Sequence, residues 1–308
     1  MTSASPSPSI DGVAPLTHLG VIQAIGADAA TFLHGQLTQD FVLIKPDEAR
    51  LAALCTAKGR VIASFIGFRP DPDTVLLVCS KDILAATLKR LSMYVMRAKA
   101  KLTDASEAFV LYGLAGSAIT ENGVDATALP GRRLALGEAS VVPLYPADGA
   151  PRALWMAPAG SAAPVGAALD ESLWQWSEVR SGIVTLTTPI VEAFVPQMLN
   201  YESVGGVNFK KGCYPGQEIV ARSQFRGTLK RRAYLVTAEA PVSAGQEVFA
   251  ANDAEQPVGT VAQAAAGADG RWAALVSMRT DALESGALQA AGVPLSVEPL
   301  PYPLLEDI

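Results

Sequence analysis

Histidine and cysteine are nearly missing from this chain. Two histidines, His18 and His34, leave a histidine-rich metal centre without ligands. Three cysteines, Cys55, Cys79 and Cys213, cannot build a disulfide framework and suit a reducing compartment. Charge is sparse too: Asp, Glu, Lys and Arg make up 18% of the sequence, too little for a highly charged disordered protein. No apolar run approaches the roughly 20 residues that a bilayer span needs, and the longest, 61–68 and 109–115, stop far short. The first nine residues, rich in Ser and Pro, have neither the basic and apolar regions of a secretory signal nor the arginines of a transit peptide. Residues 1–14 therefore read as a disordered stub on a cytoplasmic protein.

What is present is a chain of 308 residues, half of them apolar, enough for two or three domains with cores of their own. The net charge of −6 argues against a general nucleic-acid coat and against a polybasic membrane tether. That charge is unevenly spread. Residues 210–232 hold seven basic side chains (Lys210, Lys211, Arg222, Arg226, Lys230, Arg231 and Arg232) against Glu218, a net +6, which leaves −12 elsewhere. On this reading the basic focus of the protein lies in that segment, and a functional site is expected there.

Residues 15–105 read as mixed α and β. Asp28 is placed to cap a helix whose apolar stripe is Phe32, Leu33 and Leu37. Strand-like runs follow at 49–56, 60–68 and 74–79, separated by the turn clusters 57–60 and 69–73. Ser80 or Asp82 then caps a helix with Ile83, Leu84, Leu88, Leu91 and Val95 on one face, before strands at 98–103 and 107–113. An antiparallel sheet covered by helices is the α+β pattern. Residues 106–227 continue with short strands at 133–143 and 152–156 and a helix over 171–181, capped by Asp170 and ended by Gly182. Residues 228–308 change character: six short β runs, about 233–238, 246–251, 257–263, 271–277, 286–290 and 294–298, with no helix between them, predict a small β-barrel or sandwich.

Within the basic segment, Val207 and Phe209 could end a strand, and Pro215 suits the first position of a helix running through Glu218–Gln224 with Ile219 and Val220 buried. Cys213 would then sit just ahead of a helix N-terminus, where unpaired N–H groups, the macrodipole and Lys210 and Lys211 all favour a thiolate. The plain alternative is a small apolar residue in a turn beside a solvated face.

The octet Lys211-Gly-Cys-Tyr-Pro-Gly-Gln-Glu218, followed by Ile-Val-Ala-Arg222 and Arg226-Gly, resembles the signature of the YgfZ family of folate-binding proteins. Residues 26–38, Cys55-Thr-Ala-Lys-Gly-Arg60, Phe194-Val-Pro-Gln-Met-Leu-Asn200 and Glu298-Pro-Leu-Pro-Tyr302 resemble the same family in the same order. The family is related to the glycine-cleavage T-protein, an aminomethyltransferase. The resemblance implies two α+β subdomains around a central folate-sized opening, plus a C-terminal β-barrel. It also implies a cytoplasmic bacterial protein that binds tetrahydrofolate, or a one-carbon derivative of it, and supports iron–sulfur enzymes, tRNA methylthiolation among them.

Carried over by position, Cys213 is the motif cysteine, with Lys211, Gln217 and Glu218 around it and Arg222 downstream. Trp174 resembles a tryptophan placed to stack on the pterin; as a residue type it equally suits a core anchor, and Trp176 competes for either role. A second family tryptophan has no counterpart, and Leu19 occupies its place. Lys58 and Arg60 are expected to face the folate glutamate tail, or else to be solvated hairpin charges. Cys79, in an apolar run, reads as simple packing. One motif cysteine cannot hold a four-thiolate cluster, and Cys55 with Cys213 would still be two ligands short, so no resident metal is expected and Cys213 is left with transient cluster or thiol chemistry. The expected partners are iron–sulfur assembly factors or client enzymes; direct tRNA binding is disfavoured by the −12 outside the basic segment. The alternative function is a tetrahydrofolate-dependent one-carbon transferase. It needs an acid or base near the folate N5 and N10, for which Glu192 and Glu218 are the nearest acids to recognised motifs.

Overall fold

The alternation of apolar runs with turn clusters folds as antiparallel hairpins, seen in a computed structural model that describes residues 10–225, 229–251, 255–284 and 286–305. Strands β3 (Ala49–Cys55), β4 (Val61–Asp71) and β5 (Thr74–Ser80) fall on the three expected runs. They pair with Ala52 opposite Phe65 and Ile66 opposite Val78. β2 (Leu19–Ile25), a strand that no turn signal announces, inserts between β5 and β6 (Lys101–Asp104) and completes a five-stranded sheet in the order β3-β4-β5-β2-β6. Helix α1 (Ala29–His34) follows β2, and helix α2 (Lys81–Ser92) buries Ile83, Leu84, Thr87 and Leu91. The expected Asp28 cap of α1 does not form. Its carboxylate instead accepts from the Lys99 N–H at 2.7 Å and ties the helix start to the β6 approach.

A second five-stranded antiparallel sheet has the order β1-β7-β10-β9-β8, with β1 at Gly12–Pro15, β7 at Phe109–Ala115, β8 at Leu134–Leu136, β9 at Ala139–Ala147 and β10 at Ala150–Pro158. Here the expected stub 1–14 is corrected. Ile10 is buried and Gly12–Pro15 forms the edge strand paired with β7, because Val13 and Ala14 bury apolar surface that a free stub would expose; residues 1–9 lie outside the described residues. A short helix, α3 (Ser117–Glu121), follows β7, and α4 (Glu171–Arg180) follows β10. α4 starts as expected, with the Asp170 carboxylate accepting from the Ser172 N–H at 2.8 Å, and it ends at Gly182 with φ +75°.

The C-terminal runs close into a six-stranded barrel, β11 (Arg231–Ala238), β14 (Trp272–Arg279), β13 (Gly259–Ala266), β12 (Glu247–Ala250), β15 (Leu288–Ala290) and β16 (Val293–Glu298), in that spatial order. Two of the motif segments clamp this barrel to the sheets. Asn200, in the left-handed conformation at φ +59°, donates to Ala233 O at 2.8 Å and accepts from Ala233 N–H at 3.2 Å. Tyr302 packs on Gly182 and its hydroxyl donates to Gly182 O at 2.7 Å. Among the described residues no helix is long and apolar enough to cross a membrane.

Candidate functional site

The two sheets face each other across a cavity of about 610 Å³, inside the roughly 300–1,000 Å³ range of small-molecule sites. β2 contributes Leu19; β4 contributes Ser64, Phe65 and Ile66; β10 contributes Arg152 and Leu154; α4 contributes Trp174 and Glu178; and the segment 204–210 closes the remaining side. Gln39 and Lys210 line the cavity too. The expected strand at Val207–Phe209 is absent: both residues lie in irregular chain and line the cavity, and the Asn208 N–H between them makes a single backbone bond, to Thr38 O.

At one wall the polar groups converge. The Trp174 indole, fully buried, donates from Nε1 to Glu178 Oε1 at 3.0 Å, one helical turn along α4. His18 Nε2 reaches the same oxygen at 3.3 Å, and His18 Nδ1 reaches Glu171 Oε1 at 2.8 Å. Burial works against a charged His18, but hydrogen bonds and charge from Glu178 and Glu171 outweigh it and raise its pKa to about 9, so the ring is cationic at neutral pH. The Arg152 guanidinium lies over the Trp174 ring, 4.3 Å from its centroid. Arg152 is 4% exposed, its Nε has no partner, and its one hydrogen bond is a long 3.4 Å contact from Nη1 to Tyr145 O. Burial lowers its pKa to about 10, partly offset by Glu178.

Trp174 is the one member of the expected folate-binding set that this cavity contains. Its expected stacking role is corrected in part, because Arg152 already covers a face of the indole. Trp176 points elsewhere and packs on Gly267 of the barrel. Leu19 does line the cavity, where the family's second tryptophan was expected. Lys58 is exposed in the β3–β4 turn, and Arg60 donates to Ala193 O at 2.6 Å; neither lines the cavity. Glu192 is exposed and away from it as well. Cys79 lines the cavity, yet burial pushes its thiol up to about 12.

The motif loop forms a separate assembly. Gly216, at φ +81°, meets the β3–β4 turn backbone to backbone: a Cβ there would fall 2.6 Å from the Gly59 Cα. Gly216 stands between Pro215 and helix α5 (Gln217–Phe225), so Pro215 lies in the preceding turn and not at the first helical position. Val220 is buried and Ile219 is packed on Gly59. Lys211 is buried, donating from Nζ to His34 O and to Leu37 O at 2.8 Å, with its ammonium 4.6 Å from the Tyr214 ring centroid. Burial lowers its pKa to about 8 against the pull of Asp40 and Cys213. Lys211 is thus a tie between the loop and the chain at and just beyond the end of α1, where the His34 and Leu37 carbonyls accept its hydrogen bonds. Gln217 makes only a 3.5 Å contact to Lys211 O. Glu218 and Arg222 pair with each other at 2.8 Å on the exposed face of α5. Cys213 is exposed, whereas Cys55 is buried with its thiol pushed up to about 12, so the two are not presented together.

The basic segment is likewise not one cationic surface. Arg232 is buried against Glu202 at 2.5 Å, Arg231 donates to Val258 O, and Lys211 is enclosed; Arg226 lies outside the described residues. Sequence reasoning missed Arg152, Glu178 and His18. A signal existed for them: Glu171, Trp174 and Glu178 recur at helical spacing, and Arg152 interrupts an otherwise apolar strand.

Comparison with known proteins agrees with this architecture. Residues 230–302 match the family model described as CAF17, C-terminal beta-barrel domain. The glycine cleavage system aminomethyltransferase T from Bartonella henselae superposes with a TM-score of 0.67 over 97% of this chain and 88% of that one, at 16% identity, so the fold is that of the T-protein. The chain is 30% identical to the tRNA-modifying protein YgfZ of Edwardsiella ictaluri, over 91% of this chain and 89% of that protein. Its identity to the protein of that name in Escherichia coli O157:H7 is also 30%, covering 91% of this chain and 90% of that one. Similarity of this extent runs through both sheets, the motif loop and the barrel, and the chain belongs to the YgfZ family.

Proposed function

We propose that the cavity binds a reduced folate and that the protein uses Cys213 in iron–sulfur cluster assembly or repair, and thereby in tRNA modification. Arg152 carries the folate half of this reading. It is a buried cation with four of its five N–H groups unspent, standing beside Glu178 and Trp174 in the wall of a ligand-sized cavity. A pterin head has acceptors and donors along one edge, and Arg152 and Glu178 offer the complementary groups. Lys210, exposed where it lines the cavity, suits an anionic glutamate tail. Such a folate, when bound, would supply N5 and N10 as positions for a one-carbon unit; the chain's own residues bind it, orient it and exclude water.

A maturation factor is favoured over an aminomethyltransferase by the state of Glu178. It is the one carboxylate lining the cavity among the described residues, and one of its oxygens already accepts from Trp174 and His18. That role is positioning, not proton transfer. The tRNA half rests on the family, whose members at this similarity are named tRNA-modifying proteins, and on Cys213 as the exposed thiol.

The test joins calorimetry to complementation. Tetrahydrofolate should bind the purified protein without turnover in the presence of a one-carbon donor. In a deletion strain, Cys213→Ser should fail to restore tRNA methylthiolation while keeping wild-type folate affinity. Full restoration removes the thiol from the function, and formation of a methylene-folate product favours the transferase.

A second reading, direct RNA contact, has one specific observation behind it. Residues 83–103 carry Lys89, Arg90, Arg97, Lys99 and Lys101 with no acid among them, and Tyr94 and Met96 are 50% and 87% exposed in their midst. This second basic stretch corrects the placing of all basic focus at 210–232. Filter binding of tRNA across a salt series, with Arg97→Glu and Lys99→Glu together as the control, decides it.

A further inference from the structure

Arg152 differs from the other buried cations of this protein in having neither a paired carboxylate nor a close carbonyl to take its protons. Arg232 is paired with Glu202, Arg180 with Asp148 and Glu298, and Lys211 is held by two carbonyls. No carboxylate lies within ion-pair distance of Arg152 among the described residues; its company is the Trp174 ring, one distant carbonyl, the charge of Glu178 beyond ion-pair distance, and the cavity. A buried guanidinium left in this state costs stability unless a further acceptor arrives. Replacing such a group by an apolar side chain of similar volume is commonly neutral or stabilising, so its presence calls for a reason beyond folding.

We propose that Arg152 selects the ligand by its substituent at one ring position: it donates to the 4-oxo group of the pterin head and rejects a 4-amino group there. This deepens the folate reading above and rests on it. Two features set the direction in which the ligand lies. Arg152 and Trp174 are enclosed, which suits the flat head, while Lys210 is exposed and suits a flexible, charged tail that must reach solvent. Guanidinium has donors only. A 4-oxo group accepts from it, whereas a 4-amino group sets donor against donor and leaves both desolvated. Sites built to bond one polar group discriminate strongly against an analogue that cannot complete the bond. Glu178, held by His18 and Trp174, keeps its second oxygen for the neighbouring N–H groups of the same edge.

The experiment compares tetrahydrofolate with tetrahydroaminopterin, its 4-amino counterpart, by anaerobic calorimetry on the full chain. The wild type should prefer tetrahydrofolate by at least about 30-fold, the scale of one buried hydrogen bond made against one left unmade. In Arg152→Met the preference should fall to within about threefold, through loss of tetrahydrofolate affinity, while the melting temperature stays level or rises. Arg152→Lys, which keeps a donor without the planar fork, should fall between the two. A wild type that binds both ligands within threefold overturns the selection and leaves the folate reading standing. Equal loss of both ligands in Arg152→Met also overturns it, by putting some other part of the ligand on the guanidinium. A wild type that binds neither overturns this inference and the folate reading together.

Discussion

The motif loop and the cavity wall are built in opposite ways. The loop, residues 211–216, is one continuous stretch spent on holding itself in place: Lys211 on the carbonyls at and just beyond the end of α1, Gly216 on the backbone of the β3–β4 turn. The cavity wall is assembled from residues far apart in the chain, Arg152, Trp174 and Glu178 with His18 bracing Glu178, and leaves donor capacity open toward the ligand space. A dense sequence signature therefore marks where the backbone is most constrained, and the ligand chemistry lies on elements that carry no signature. Cys213 is the exception within the loop, an exposed thiol on a frame that the other residues make rigid.

The sharpest way to break that comparison is at the backbone contact. Gly216→Val adds a β-branched side chain at φ +81°, where its Cβ meets the Gly59 Cα at 2.6 Å. Both the strained conformation and the clash oppose it. The expected loss is about 3–5 kcal/mol, in the range of mutations that force a buried backbone apart, read as a lowered denaturation midpoint. Tetrahydrofolate affinity below the transition should change little, since Gly216 does not line the cavity. A large loss of affinity at full folding would show the two regions to be coupled, and the contrast between frame and site would fail.

The same contrast explains what is legible in the sequence. The β3, β4 and β5 runs, the Asp170 cap and Gly182 stop of α4, and the six barrel runs are readable because local alternation and turn chemistry decide them. β2 escapes because Leu19–Ile25 is bounded by no Gly or Pro cluster on its N-terminal side, and β1 because its partner, β7, is about a hundred residues away. The motifs that carry the family resemblance point to Lys58, Arg60, Gln217, Glu218 and Arg222 as the site, but those side chains satisfy local backbone, pair with each other or face solvent. Arg152 is invisible at that level because a single charge in an apolar strand gains meaning only from what the fold sets opposite it.

A smaller effect tests the wall itself, through pH. The folded pKa of His18, about 9, lies above the ordinary value of 6.5, so the ring binds its proton more tightly in the folded chain. The stabilisation from His18 with Glu178 and Glu171 is fully present below about pH 6.5 and is lost as pH rises through 9. Tenfold tighter proton binding corresponds to about 1.4 kcal/mol, and discounting for the partial exposure of His18, about 2 kcal/mol should disappear between about pH 6 and pH 10. His18→Gln lacks this titration, so the stability difference between wild type and variant should shrink by that amount over the window. Because Glu178 Oε1 receives both His18 and the Trp174 indole, tryptophan emission should report the same midpoint in the wild type and not in the variant. A pH-independent difference would mean that His18 has the same pKa in the folded and the unfolded chain, and that its charge adds nothing to the hold of the indole on Glu178. The wall would then be less fixed than the loop, and the preorganisation on which Arg152 depends would have to come from the ligand.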